Sequence, residues 1–334
     1  MKELNVIEFA ERELGMVSGL TLYPIQQTLL KIIFGVPLDF QPQTIEVWDD
    51  LHETKLYTLS EPDYLKMCFE EQKCNYGDWQ TLPAKGFNEA HLFQGRRGGK
   101  STLLMVSIAY KLYRTLLLGD PQRFFNLCPG SVIDLSLVGM DSDGVRRMHK
   151  SLHDYYINRT EIFASYLAAY TPGRSIGFFT EADRLRKNSY PSVNIGAYPC
   201  TANVMRGPAS IGLFYDEFAH YTKANDLYCA STPATMNYRN ESGDHSLIMS
   251  VSSPWHTNGK MFDLHDMAFS LRSIFTHNET TATLNPGVAP YMHLRQQKEK
   301  GNHYFDCEFG GKFLHKNKTM TLKEYREDIG KGSL

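Results

Sequence analysis

The apolar run His91-Leu92-Phe93-Gln94 breaks into Gly95-Arg96-Arg97-Gly98-Gly99-Lys100-Ser101 and resumes as an apolar helix pattern at Thr102. Strand, glycine-rich turn and helix in that order point to folds that seat an anion at a helix start. Gly95, Gly98 and Gly99 let backbone N–H groups turn towards phosphate. Lys100 reaches the terminal phosphates, and the Ser101 hydroxyl offers an oxygen to Mg²⁺. The common spacing, Gly, four residues, then Gly-Lys-Ser/Thr, asks for glycine at position 94, where this chain has Gln94. By spacing alone, the plain alternative is a basic turn that starts a helix.

A chain of 334 residues can bury a large core, and 42% hydrophobic with 22% charged residues describes an ordinary globule. A chain that simply coats nucleic acid is usually strongly basic, so with a formal net charge of −2 any DNA contact must use a local patch or depend on oligomer geometry. Six cysteines (68, 74, 128, 200, 229 and 307) include no Cys-x-x-Cys pair. They read as free buried thiols of a reducing compartment rather than as a disulfide frame or a zinc site. There is no signal peptide and no run long enough to span a bilayer, and the expected location is the cytosol.

From the N-terminus, Leu4, Ile7, Ala10, Leu14 and Val17 recur at helical spacing and predict an amphipathic helix over 3–18, with Phe9 off its face. Tyr23-Pro24-Ile25-Gln26 starts a second helix. Its proline suits the first turn, and the Gln26 amide can pair with a donor and an acceptor, as an adenine edge requires. Tyr23 could stack on the base, although such a tetrapeptide is more often a bare helix start. Residues 36–86 read as an irregular, polar elaboration with a charged helix near 61–74. A strand over 87–94 feeds the loop and a helix over 102–118 leaves it. Val132 to Gly139 is a second apolar strand, followed by a helix over 141–152 with Arg146 and Arg147. This alternation argues for a mainly parallel sheet flanked by helices on both faces. Residues 153–200 read as a second, turn-rich elaboration. Its basic run Arg184, Arg186, Lys187 is a solvated face or a contact to DNA phosphate.

The strand Ile211-Gly212-Leu213-Phe214-Tyr215 ends in Asp216-Glu217. In a phosphate-loop enzyme the first carboxylate holds the Mg²⁺ complex and the second polarises the attacking water. A third apolar strand, Ser246 to Val251, ends in Ser252-Ser253-Pro254, where a γ-phosphate sensor belongs; the bland reading is a turn.

Taken together these residues resemble the ATPase domain of large terminase subunits, the DNA-packaging motors of tailed bacteriophages and herpesviruses. The resemblance rests on Arg96 four residues before Lys100, on Asp216-Glu217-Phe218-Ala219, on Arg206-Gly207 ahead of that strand, on Ser252-Ser253-Pro254, and on Tyr23-Pro24-Ile25-Gln26 as an adenine-binding element. It covers about 20–315 and accounts for Gln94, because the family's loop often departs from strict spacing. It implies an α/β P-loop NTPase fold of the additional-strand class. ATP and Mg²⁺ would bind across Gln94 to Thr102, with Ser101 and Asp216 on the metal and Glu217 as base. Arg96 and Arg97 would stabilise the transferring phosphoryl group, and Ser252 and Ser253 would couple hydrolysis to movement. Arg146, Arg174, Arg206 and Arg239 are candidates for an arginine inserted into a neighbour. Implied partners are double-stranded DNA, the portal protein, the small terminase subunit and further copies in a pentameric ring, without membrane. The implied location is the host cytoplasm and, transiently, the portal vertex. The expected layout is an ATPase domain over 1–315 and a linker or tail over 316–334. No nuclease domain is recognised: the chain reads as helical or loop-like after 260, and Tyr304 to Phe309 resembles the linker that precedes a nuclease. No nuclease activity is therefore expected. Rival readings are a helicase-type translocase, which should show a second motor domain, and a nucleotide-binding structural module that does not hydrolyse.

Overall fold

The computed structural model describes residues 3–15, 22–48, 54–201, 207–288, 291, 295, 298–299 and 301–330. Val17 of the expected first helix and Arg206 lie outside the described residues. In chain order the strands are β1 (Gln43–Trp48), β2 (Thr54–Leu59), β3 (Glu89–Gln94), β4 (Ile133–Gly139), β5 (Leu167–Thr171), β6 (Ser175–Phe178), β7 (Val193–Pro199), β8 (Ser210–Asp216), β9 (Arg239–Asn240), β10 (Gly243–Asp244), β11 (Leu247–Ser252), β12 (Phe275–Glu279), β13 (Phe313–His315) and β14 (Lys318–Met320). Eight of them are hydrogen-bonded in the order β12-β3-β11-β8-β4-β7-β6-β5. The chain forms two compact units, each built from two stretches: Met1–Thr21 with Thr102–Met249, and Leu22–Ser101 with Ser250–Leu334.

In the first unit β4 runs parallel to both β7 and β8. Every residue of β4 is buried, so both of its faces are covered, as a parallel strand between helical layers requires. Its one carboxylate is held in place. Asp134 accepts from Ser136 (2.6 Å) and Asn194 (2.5 Å), while burial pushes its carboxyl up to about 6. The stretch 153–200, expected to be turn-rich, supplies three strands to the sheet. β7 is parallel to β4, and β6 and β5 follow as an antiparallel extension. The sequence hides this because β5 is the outermost strand and presents mostly exposed or half-exposed residues, leaving no apolar alternation to read. The helix that leaves the loop spans Lys100–Leu116 and buries Leu103, Leu104, Val106, Ile108, Ala109, Leu112 and Tyr113.

The expected first helix is α-helical only over Val6–Glu8, then winds as a π-helix over Phe9–Leu14. The wider turn breaks the 3.6-residue period on which the sequence reading relied. Phe9, assigned off the buried face, is fully buried, stacked 5.1 Å from Tyr113 and packed against Tyr110 and Phe163.

In the second unit β12 runs parallel to β3. It was not expected, since the chain after 260 reads as helix or loop. All five residues of β12 are buried, yet four are Thr276, His277, Asn278 and Glu279. A strand that buries polar groups satisfies them one by one: Thr276 donates to the carbonyl of His91 (3.0 Å) and Asn278 to that of Gly311 (2.8 Å). The supposedly irregular 36–86 contains the antiparallel pair β1–β2, and its expected charged helix spans Glu61–Glu70. Ser60 caps that helix by accepting from the Asp63 N–H, and Glu61 in its first turn pairs with Lys31 at 2.8 Å. A helix over Pro24–Phe34 ends at Gly35, whose φ of 67° requires the left-handed conformation. Further helices span Lys260–Ala268, Thr281–Leu284 and His303–Glu308, and β13 pairs with β14.

Candidate nucleotide site

The loop after β3, Gly95 to Gly99, has four of its five carbonyls tied into the second unit. Gly95 O accepts from Gly98 N (2.9 Å), Arg96 O from the Thr281 hydroxyl (2.7 Å), Arg97 O from Asn285 Nδ2 (2.8 Å), and Gly98 O from Gln26 Nε2 (2.9 Å). Two N–H groups at the loop's root are also used: Gly95 N donates to Glu279 O at 3.1 Å, and Arg96 N donates to Glu308 O. A loop whose carbonyl edge is committed inward leaves its N–H edge as the side that can meet an anion. Arg97 (φ 71°) and Gly99 (φ 92°) make the reversals that produce this arrangement. Gly95 admits no side chain, because a Cβ there would lie 2.2 Å from the Thr281 hydroxyl.

Lys100 is buried in the first turn of the Lys100–Leu116 helix, and Ser101 beside it is exposed. The aligned peptide dipoles of a helix this long favour negative charge at that end. Arg96 is exposed, its guanidinium 3.6 Å from Glu308. Gln94 is fully buried, and neither end of its amide is paired among the described residues. It is a polar group at the root of the loop that a ligand or water can satisfy.

Gln26 is almost fully buried, and its amide has three partners. It donates to Gly98 O (2.9 Å) and Leu284 O (3.2 Å), and it accepts from Tyr23 N (3.1 Å). A Cβ on Gly99 would sit 2.3 Å from its Nε2. The residue expected at the adenine edge therefore grips the loop from within the protein. Tyr23, partly buried, caps the same helix.

Ser252 and Ser253 are both buried, at the end of β11 and just beyond it. Two residues earlier, Ser250 hydrogen-bonds His91 of β3 at 2.7 Å, and the far side of the His91 ring meets Glu89 at 2.9 Å. The strand that carries the expected coupling residues is thus bonded to the strand that feeds the loop.

The acidic pair belongs to the first unit. Asp216 closes β8, and its carbonyl accepts from the Tyr221 hydroxyl at 2.7 Å, as does the carbonyl of Val138 in β4 at 2.9 Å. Glu217 has φ 55° and ψ 40°, a left-handed backbone that is costly for a non-glycine residue. Its carboxylate lies 3.8 Å from His220. Thr102, also in this unit, shares a side-chain hydrogen bond with Tyr156. Among the arginines considered for a neighbouring copy, Arg239 is ion-paired with Asp244 at 2.7 Å, and Arg146 packs its aliphatic stem beside Gly173. Arg174 sits in the turn between β5 and β6. In the basic run, Arg186 pairs with Asp120 at 2.5 Å and Arg184 lies over the Tyr166 ring.

Sequence reasoning missed the scaffold of the loop: Thr281, Asn285, and the carbonyls of Leu284, Glu308 and Phe309. These positions follow the loop by more than 180 residues and bear no local pattern that announces them. Tyr221, which pins the end of β8, was missed as well.

No family model and no curated protein sequence matches the chain. Solved structures do. The ATPase domain of the large terminase of Thermus phage P74-26 superposes with a TM-score of 0.51 at 12% identity, covering 68% of this chain and 89% of that one. The large terminase of bacteriophage HK97 gives 0.54 at 13% identity, covering 91% of this chain and 54% of that one. The chain thus spans about half the length of the HK97 protein. At such identities the likeness is one of fold, that of a large-terminase P-loop ATPase domain, α/β with a mostly parallel sheet of eight strands.

Proposed function

We propose that this chain is the ATPase motor of a viral genome-packaging terminase, hydrolysing ATP to drive double-stranded DNA into a procapsid. The observation that carries this reading is the loop with four of its carbonyls bound into the protein ahead of a buried lysine at a helix start. The terminase-like fold supports it. In this reading the N–H groups of Arg97 and of Gly99 to Thr102, with the Lys100 ammonium, hold the phosphates. Ser101 and Asp216 offer hard oxygen donors, the set that Mg²⁺ prefers, and when bound the ion neutralises charge on the terminal phosphates. Glu217 takes the proton of the attacking water, its unusual backbone fixing the direction of the carboxylate. Arg96, aided by Arg97, stabilises the charge that develops on the phosphoryl group. Gln94 offers its buried amide at the loop root, and Gln26 with Tyr23 acts on the nucleotide mainly by fixing the loop. Ser252 and Ser253 sense loss of the γ-phosphate, through the bonded pair of strands to which they belong.

Motor action further implies a pentameric ring at the portal vertex in the host cytoplasm, the small terminase subunit as a companion, and an arginine contributed in trans from Arg146, Arg174, Arg206 or Arg239. Among the described residues no helix is long and apolar enough to cross a membrane. The test is steady-state ATP hydrolysis with and without double-stranded DNA. Glu217→Ala should lower turnover by a factor of about 10² or more while still binding ATP. Normal hydrolysis by that variant would refute the assignment.

A further inference from the structure

The stretch 36–86 takes no part in the nucleotide chemistry, yet its helix Glu61–Glu70 sets Tyr64 and Cys68 against His277 and Glu279 of β12, all within the second unit. Cys68 Sγ lies 3.9 Å from His277 Nε2. The Tyr64 hydroxyl lies 3.0 Å from the same nitrogen and 3.2 Å from Glu279 Oε2. The ligand atoms of Cys68, His277 and Glu279 all fall within 4.8 Å of one another, and the three residues are fully buried. Four atoms bearing lone pairs thus converge on one point in the buried interior.

Tetrahedral zinc has bonds of about 2.0 Å to nitrogen and oxygen and about 2.3 Å to sulfur, which give edges of about 3.3 Å between N and O and about 3.6 Å between S and N. The Cys68–His277, Tyr64–His277 and Tyr64–Glu279 separations match those edges to within a few tenths of an ångström, and the ligand atoms of Cys68 and His277 lie within 4.8 Å of that of Glu279. The outer surroundings fit as well. Glu279 Oε1 accepts from Lys73 Nζ (3.1 Å) and from the Thr280 N–H (2.9 Å), which orients the carboxylate and turns Oε2 inward. We propose that Cys68, His277 and Glu279, with the Tyr64 hydroxyl at the fourth corner, form a structural site for zinc that fastens the 36–86 segment to β12.

Binding forms a Zn–S bond to Cys68 while the thiol proton leaves to solvent. Glu279 also receives the Gly95 N–H on its backbone carbonyl, so the ion anchors the strand end on which the loop's first residue hangs.

The test uses the full chain, purified with Zn²⁺ present and also reconstituted with Co²⁺ as a spectroscopic probe. The expected results are one metal ion per chain by elemental analysis, a sulfur-to-cobalt absorption band in the near ultraviolet, and a melting temperature that falls on chelation. Cys68→Ser should lose the band, whereas Cys128→Ser, at an exposed cysteine, should keep it. A wild-type chain without stoichiometric metal would overturn the site, as would a folded Cys68→Ser variant with an unchanged band. If Cys68→Ser does not fold, the metal content of the wild type alone decides. Neither readout depends on nucleotide hydrolysis.

Discussion

Replacing Gln26 separates two ways in which that residue could serve nucleotide binding. In Gln26→Ala three hydrogen bonds disappear, to Gly98 O, Leu284 O and Tyr23 N. At about 1 kcal/mol net for each, and somewhat more for the two acceptors left in the interior, the loss is about 2–4 kcal/mol. Because one of the acceptors belongs to the loop, part of that loss reappears as loop ordering that nucleotide must supply on binding. A share of about 1–2 kcal/mol weakens affinity by roughly 5- to 30-fold. The purine ring plays no part in this cost, so ATP and GTP should suffer equally. Gln26→Glu is the sharper variant: its carboxylate can still accept from Tyr23 N but cannot donate to either carbonyl, and it should behave like the alanine. Calorimetric titration with both nucleotides, paired with thermal melting, measures the effect. If either variant lost affinity for ATP alone, kept its affinity for GTP and melted as wild type, Gln26 would be a base reader and the reasoning from its hydrogen bonds would fail.

Thr281→Val keeps side-chain shape but removes the donor to Arg96 O, so nucleotide affinity should fall about 2- to 10-fold with little change in melting; an unchanged Kd would show that the contact is incidental. For Asp134 the folded pKa of about 6 lies above the ordinary 3.8, so the native state binds more protons between these values. Stability from this group is therefore full at low pH, declines as pH rises from about 4 to about 6, and is flat above, a cost of about 3 kcal/mol at neutral pH. Asp134→Asn should remove that slope, and the gap between its denaturation midpoint and that of wild type should move in its favour across the same window. A gap that does not change with pH would refute the sign.

The strand–loop–helix around Lys100 was legible because apolar runs and glycines mark it locally, and the strand ending in Asp216 was legible for the same reason. Local pattern failed where burial is purchased with hydrogen bonds instead of hydrocarbon. In β12 Thr276 to Glu279 carry no hydrophobic signature, so a strand of the main sheet passed for loop. Phe9 was misplaced because a π-helical turn altered the period. Lys100, Ser101, Asp216 and Glu217 could be singled out as candidates because they stand in short motifs. The hands that hold the loop could not: Thr281 and Asn285 acquire meaning only once the chain has folded back on Arg96 and Arg97.

The two-stretch construction of the second unit bears on synthesis as well as on the finished protein. A ribosome releases the phosphate loop at residue 95 long before it releases Thr281, Asn285 and Phe309, on which the loop's shape rests. At about 5–20 residues per second the nascent chain carries an unshaped loop for roughly ten seconds or more. On the proposed reading, the loop lacks in that interval the partners that shape it for phosphate. The order of translation thus delays the finished loop until the second stretch of its unit has emerged, and only β13, β14 and a helix over Leu322–Asp328 follow Phe309 among the described elements.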